Sequence, residues 1–278
     1  MTVYVSDLDG TLLGADGSLS AFSRRGIQTL LDRDVHFTVA SARGVHAIRS
    51  VMDGLPLHLP VVSLNGGFVS DMATCVHKRV VHIDNTIARE LHALSRRHGH
   101  HPLISTTTGA GDRIYLPNKH NNHAVRQFFE QRQRESDPRI RPTDDTACGL
   151  DETVCCVTVI ARRDELQPMH DELMQSYEHV THSHFFDDPY TPGWAWITMH
   201  SEAATKANGI GWLLQDSALS DHDLVVFGDQ INDVPMFHLA DKAVAVSNAV
   251  PELRSIADEV IGHHDEDAVV RYLLDVTA

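Results

Sequence analysis

The sequence predicts an α/β protein: a doubly wound, mostly parallel, Rossmann-like core interrupted by an inserted α+β domain. Three observations predict it. Short apolar strand patterns alternate with helical patterns at both ends of the chain, at about 15 to 25 residues per unit. A central stretch of roughly 110 residues lacks that alternation. Acidic motifs stand at the ends of two of the short strands, where an open parallel sheet places its ligands.

The elements follow in order. Residues 2–6 (TVYVS) form a β-rich run that ends at Asp7. A helical pattern covers 20–33, with Ser20 suited to its N-cap. HFTVAS (36–41) is a second buried-strand signal, 45–52 suits a helix, and LPVVSLNGG (59–67) suits a strand and a turn. The same rhythm returns near the C-terminus: helix 203–215, strand DLVVFGD (223–229), helix 233–239, strand KAVAVS (242–247), helix 250–257, strand DEVIG (258–262) and helix 265–275. Between them, helical patterns at 86–98, 121–134 and 164–178 mix with strand candidates at 102–107, 112–116, 153–160, 181–186 and 194–199. Residues 135–152 are polar and turn-rich and are expected to form a loop. The predicted division is a core of 1–83 with 200–278, and an insert of 84–199.

Composition narrows the function. The chain has 278 residues, 42% of them hydrophobic, enough for a sizeable core. A net charge of -15 without a basic run repels a nucleic-acid backbone. An anionic substrate would therefore need a local cationic centre. The N-terminal MTVYVSDLDG has neither the basic nor the apolar region of a secretory signal. No run approaches the roughly 18 apolar residues of a membrane span. The four cysteines (Cys75, Cys148, Cys155, Cys156) form no C-x-x-C pair, which suits reduced thiols in the cytoplasm. The 20 histidines cluster at His98, His100 and His101, at His120 and His123, and at His179, His182 and His184. They show no zinc-ligand spacing, so solvated surfaces are expected for most of them.

Four motifs carry candidate chemistry. Asp7 and Asp9 lie two apart at a strand end, in Asp7-Leu8-Asp9-Gly10-Thr11-Leu12. Such a pair can hold a divalent cation and divide attack from proton transfer, although an acidic turn would read the same. Gly228-Asp229-Gln230-Ile231-Asn232-Asp233 follows the apolar LVVF run; its hard oxygen ligands suit Mg²⁺, and Asn232 or Asp233 also suits a helix N-cap. Ser41, followed by Ala42 and Arg43, offers a hydroxyl and backbone N–H groups at a strand-to-helix turn, fit either to grip a phosphoryl oxygen or to cap. Lys206, near a helix start, matters because an acidic site otherwise lacks a cation for phosphate.

Taken together, D-x-D-G-T-L, Ser, Lys and G-D-x-x-N-D resemble the four motifs of the haloacid dehalogenase-like hydrolases. The insert resembles the large C2-type cap of the Cof-type subgroup, mostly sugar-phosphate phosphatases. Asn65-Gly66-Gly67 and Ser247-Asn248-Ala249 are similar to further marks of that subgroup. The resemblance implies Asp7 as nucleophile, Asp9 as general acid/base and donor of a backbone carbonyl to Mg²⁺, and Asp229, supported by Asp233, as metal ligand. It implies Ser41, Ala42 and Lys206 as contacts of the phosphoryl group, with Asn232 reaching the phosphate or the metal shell. The family often has Thr-Gly-Arg where this chain has Ser41-Ala42-Arg43, which keeps the hydroxyl but loses a glycine. The expected activity is Mg²⁺-dependent hydrolysis of a small phosphate monoester through an aspartyl phosphate, by a monomer or homodimer. The insert is expected to cover the site and select the leaving group, with Phe185, Tyr190, Trp194, Trp196, Asp187 and Asp188 as candidates and packing as the other role for the tryptophans. A phosphomutase and a non-catalytic regulator are the alternatives. A dinucleotide enzyme is disfavoured, because no G-x-G-x-x-G follows the first strand.

Overall fold

The structure is a computed structural model that describes residues 1–109, 111–118, 122–134, 136–188 and 191–278. Its elements begin with β1 (Thr2–Ser6), α1 (Ala21–Asp32), β2 (His36–Val39), α2 (Val45–Val51), β3 (Val61–Ser63), β4 (Phe68–Ser70) and β5 (His77–Val80). They continue with α3 (Asn85–Arg97), β6 (Leu103–Thr108), β7 (Gly111–Pro117), α4 (His123–Arg134), β8 (Ile140–Thr143), β9 (Thr153–Arg162), α5 (Arg163–Tyr177), β10 (Thr181–Asp187) and β11 (Trp194–Ser201). The chain closes with α6 (Lys206–Asp216), β12 (Asp223–Gly228), α7 (Val234–Leu239), β13 (Lys242–Ala245), α8 (Pro251–Ser255), β14 (Glu259–Val260) and α9 (Ala268–Val276). Two compact units result: Met1–Val80 with Ala204–Ala278, and Val81–Ala203.

The first unit is built on a parallel sheet in the order β14-β13-β12-β1-β2, extended by a parallel bridge from Ala40 to Val62 of β3. From β1 the chain winds outward through β2 and β3, re-enters at β12 beside β1, and winds outward the other way. This is the doubly wound arrangement the alternation predicts, with its switch point between β1 and β12. Val3, Val5, Val226, Phe227 and Val244 are fully buried, as expected for strands covered on both faces. Ser20 caps α1 as the sequence suggests, its hydroxyl accepting the Ser23 N–H at 2.9 Å. α1 packs on α9 so closely that a Cβ at Gly26 would lie 2.2 Å from Val270.

β3, β4 and β5 form an antiparallel ribbon. The sequence gives no sign of its last two strands. Each is three or four residues long, and β5 (HKRV) alternates half-buried with exposed side chains instead of showing an apolar run. The turn into β4 holds Leu64, Asn65 and Gly66 at φ of 48°, 53° and 95°. A side chain at Gly66 is excluded, since its Cβ would meet the Thr205 carbonyl oxygen at 2.0 Å.

The second unit carries a six-stranded sheet in the order β10-β11-β9-β6-β7-β8, antiparallel except between β7 and β8. Leu91 and Leu94 of α3 and Leu166, Met169 and Leu173 of α5 share a buried cluster with Val157, Val159, Ile197 and Met199. Ala124 and Val125 of α4 share a second one with Leu103, Leu116 and Ile160. The loop expected over 135–152 is corrected: it contains β8 and a 3₁₀ turn at Thr146–Asp151. Ile140 packs on the α4 cluster and Leu150 is buried, two apolar anchors too isolated to show periodicity.

Not every histidine is solvated. His92 and His200 are buried, and His200 stands on β11 in register with His182 of β10. Its Nε2 is 3.6 Å from the Cys156 Sγ. Burial, aided by His182, pushes His200 down from its ordinary 6.5 to about 4. The folded state thus refuses a proton that the unfolded chain accepts. The associated stability is present above 6.5 and is lost as pH falls towards 4, by about 2 kcal/mol at pH 5. The urea midpoint should therefore fall more between pH 7 and pH 5 in the wild-type protein than in His200→Gln; parallel falls would remove His200 from the account.

Candidate active site

β1 and β12 end side by side, and each hands the chain to a turn that carries carboxylates. The ladder continues one residue beyond β1, the Asp7 N–H donating to the Phe227 carbonyl at 2.9 Å, which fixes the Asp7 backbone. The chain then doubles back: the N–H groups of Thr11, Leu12 and Leu13 converge on the Leu8 carbonyl at 3.2, 3.0 and 2.9 Å. Gly10 has φ of 75°, and a Cβ there would lie 2.5 Å from an Asp229 oxygen, so glycine alone fits. Thr11 Oγ1 donates to Asp229 Oδ1 at 2.9 Å and ties the first acidic turn to the second. Asn248 Nδ2 donates to the Gly10 carbonyl at 2.8 Å.

Lys206 opens α6 behind its N-cap Thr205, and it is 1% exposed. Its Nζ donates to Asp7 Oδ1 at 2.5 Å and to Asp233 Oδ1 at 2.6 Å. The other Asp233 oxygen accepts the N–H groups of Asp229 and Gln230 at 2.9 and 3.0 Å. Asp233 therefore ties down the turn before α7 and enters the charged group; as N-cap residue of α7 it makes no side-chain cap bond. Lys206, selected from the sequence because an acidic site needs a cation, is the buried counter-charge in these contacts.

One ligand oxygen from each of Asp7, Asp229 and Asp233 lies within 4.8 Å of the others, and all three residues are buried. Burial raises the Asp7 carboxyl well above its usual range; Lys206 pulls it down, and Asp233 and Asp229 push it up again. Burial, with Asp233, raises Asp229 to about 6. For Lys206, burial alone would favour the neutral amine, but Asp233 and Asp7 outweigh it and hold the ammonium above its usual range. Three carboxylates around one ammonium leave an excess of negative charge away from water. That excess, presented by hard oxygen donors, suits a small divalent cation.

Asp9 stands outside this trio. Its side chain is 44% exposed and takes a two-point hold from Arg43: Nε to Oδ2 at 2.8 Å and Nη2 to Oδ1 at 2.6 Å. Sequence reasoning did not select Arg43, although it lies in the same Ser41-Ala42-Arg43 turn. Ser41 is buried, and its Oγ accepts the Arg43 N–H at 3.1 Å, a local turn that precedes the α2 N-cap, Gly44. Among the described residues, the backbone N–H groups of Leu8, Asp9 and Ala42 have no hydrogen-bond partner. The Asn65 N–H donates to the Ser41 carbonyl at 3.0 Å, and Asn232 Nδ2 donates to Asn65 Oδ1 at 3.1 Å. This chain of bonds brings Asn232 to the Ser41 turn.

The side chains singled out in the insert are largely engaged within it. Arg163 lies over the Phe185 ring at 4.3 Å and pairs with Asp187 at 2.8 Å. Arg162 covers Trp194 at 4.8 Å, and Trp196 meets Phe128 edge-on while donating to Asp188 at 2.7 Å. Packing is thus the observed role of both tryptophans. Tyr190 and His120 lie outside the described residues.

Residues 4–273 match the family of haloacid dehalogenase-like hydrolases, and the chain belongs to that family. It is 23% identical to the 5-amino-6-(5-phospho-D-ribitylamino)uracil phosphatase YitU of Bacillus subtilis (strain 168), over 96% of this chain and 94% of that protein. Its fold matches a haloacid dehalogenase-like hydrolase from Bacteroides thetaiotaomicron with a TM-score of 0.79, at 21% identity and 99% coverage of both chains. A sugar phosphatase of HAD subclass IIB matches with a TM-score of 0.78, at 17% identity over 100% of this chain and 99% of that one. The α/β core with an inserted domain is therefore a shared fold. Among the described residues no helix is long and apolar enough to cross a membrane.

Proposed function

We propose that this hydrolase removes the phosphoryl group from small phosphate monoesters, sugar phosphates or similar metabolites, in a Mg²⁺-dependent reaction with Asp7 as nucleophile. The observation that carries the reading is the buried Lys206 ammonium held between Asp7 and Asp233, beside Asp229, at the switch point of a parallel sheet. Asp7, Asp229 and Asp233 would hold Mg²⁺ through their carboxylates, with the Asp9 backbone carbonyl implied by family resemblance; the ion would offset the charge of the transferring phosphoryl group. The phosphatase relatives, one acting on a phosphorylated ribitylamino compound by its name and one on sugar phosphates, support the substrate class.

The chain's own groups divide the remaining work. Lys206 lowers the repulsion between the Asp7 carboxylate and an incoming phosphate, and its two carboxylate bonds hold it in place for that task. An Asp7 oxygen forms a bond to phosphorus as the bond to the leaving oxygen breaks, and Asp9 gives that oxygen its proton. Water then attacks the aspartyl phosphate, its proton passes to Asp9, and Asp7 is released. The unpartnered N–H groups of Leu8, Asp9 and Ala42, with the Ser41 hydroxyl, are suited to the phosphoryl oxygens.

Phosphate release from a panel of sugar phosphates, nucleotides, pyridoxal phosphate and p-nitrophenyl phosphate, with Mg²⁺ and with EDTA, tests the reading. Release that requires Mg²⁺ and falls to background in EDTA is expected. Isomerised sugar phosphate without free phosphate would replace the phosphatase with a mutase.

A further inference from the structure

We propose that Arg43 is the positioning residue for Asp9, a two-point clamp on the proton-transferring carboxylate that opens at one point in each half-reaction. This rests on the reading of Asp9 as the proton carrier. Asp7 and Asp9 are two residues apart but sit in opposite surroundings. Asp7 is buried and pinned by Lys206, whereas the Asp9 side chain is 44% exposed and would be free to rotate without the guanidinium. Arg43 grips both of its oxygens, each through a separate nitrogen. A fork of this kind fixes the plane of a carboxylate as well as its place, which the point charge of a lysine does not do. Holding an exposed acid within reach of the leaving oxygen is worth a large effective concentration.

The same geometry permits movement. Asp9 must expose one oxygen to carry a proton, and releasing either Nε or Nη2 leaves the other bond intact. The carboxyl group pivots on the guanidinium without leaving the site. In the first half-reaction the Asp9 proton passes to the leaving oxygen as its bond to phosphorus breaks, and the freed carboxylate closes back onto both nitrogens. In the second, one oxygen opens again and takes the proton of the attacking water. The proton count of Asp9 is restored at the end of the cycle.

The test compares kcat/KM for p-nitrophenyl phosphate, whose leaving group needs no proton, with kcat/KM for the best sugar phosphate of the panel, whose alkoxide does. Because kcat/KM covers only the steps through departure of the leaving group, hydrolysis of the aspartyl phosphate does not enter. Arg43→Ala is expected to lower the sugar-to-aryl ratio by about tenfold or more, within the range a positioned general acid supplies. Arg43→Lys is expected to fall between it and wild type. Equal losses on both substrates in Arg43→Ala, with the circular dichroism spectrum of the wild type, would make Arg43 a phosphate contact and overturn the proposal. Asp9→Asn separates the two levels of argument: an unchanged ratio there would sink the reading of Asp9 itself, whereas a collapsed ratio beside an unchanged one in Arg43→Ala would sink only the clamp.

Discussion

Asp7→Asn is expected to lose about four orders of magnitude or more in phosphate release, while the melting temperature of the metal-free protein rises at pH 7.5. The two halves of this result come from the same burial. An amide has no carboxylate oxygen to attack phosphorus, so the covalent route ends with the substitution. The native carboxyl, however, is held well above its usual range, chiefly by loss of solvent and further by Asp233 and Asp229, against the pull of Lys206. A carboxyl with a raised folded-state pKa contributes stability at low pH that is lost as pH rises through that value, so at neutral pH its charge opposes folding. Asparagine is nearly the same size, keeps an oxygen to accept from Lys206, and carries no charge. Phosphate release and thermal melting in EDTA measure both quantities on one sample. Retention of more than about a tenth of the wild-type rate would withdraw Asp7 as nucleophile. A fall in melting temperature would mean that its ion pair with Lys206 outweighs its desolvation.

How far the sequence reveals this site depends on what each residue's position requires. Asp7, Asp9 and Asp229 are legible because a carboxylate directly after a short apolar strand has few structural reasons to be there. Lys206 is legible only by need: the motif sequence lacks a cation, and nothing in the KANGIG pattern says that this lysine is 1% exposed. Arg43 escapes notice because an arginine in a turn looks solvated, and its bond to Asp9 spans 34 positions of sequence. In the fold, the parallel core shows itself through continuous apolar runs such as TVYV and LVVF, whereas β4, β5 and β8 do not. They are short strands, β5 and β8 partly exposed and β4 buried but only three residues long, whose pairing comes from a neighbour, not from their own periodicity. Substrate choice is the least legible, since Phe185, Trp194 and Trp196, the aromatic candidates among the described residues, are held by Arg163, Arg162 and Phe128.

Lys206→Met is expected to reduce activity on the order of 10³-fold, as does loss of a single preorganised charge-stabilising donor, and to destabilise the protein by about 3–5 kcal/mol at pH 7.5. Methionine fills much of the buried space, so the effect on stability is electrostatic. Removing the ammonium strips Asp7 and Asp233 of the partner each contacts at 2.5 and 2.6 Å, and leaves three buried carboxylates facing one another. Such groups recover by taking up protons, so the loss of stability should shrink as the pH is lowered towards 5. A second substitution separates the two effects. In Lys206→Met with Asp233→Asn, one of the unpaired charges is gone, and the amide introduced in its place retains an oxygen for the Asp229 and Gln230 N–H groups. Part of the lost stability should then return while activity stays low. Urea denaturation of the single and double variants, with phosphate release measured alongside, reads both. Recovery of activity together with stability would mean that Lys206 serves only to hold the fold, and it would leave the charge offset at Asp7 to the proposed Mg²⁺.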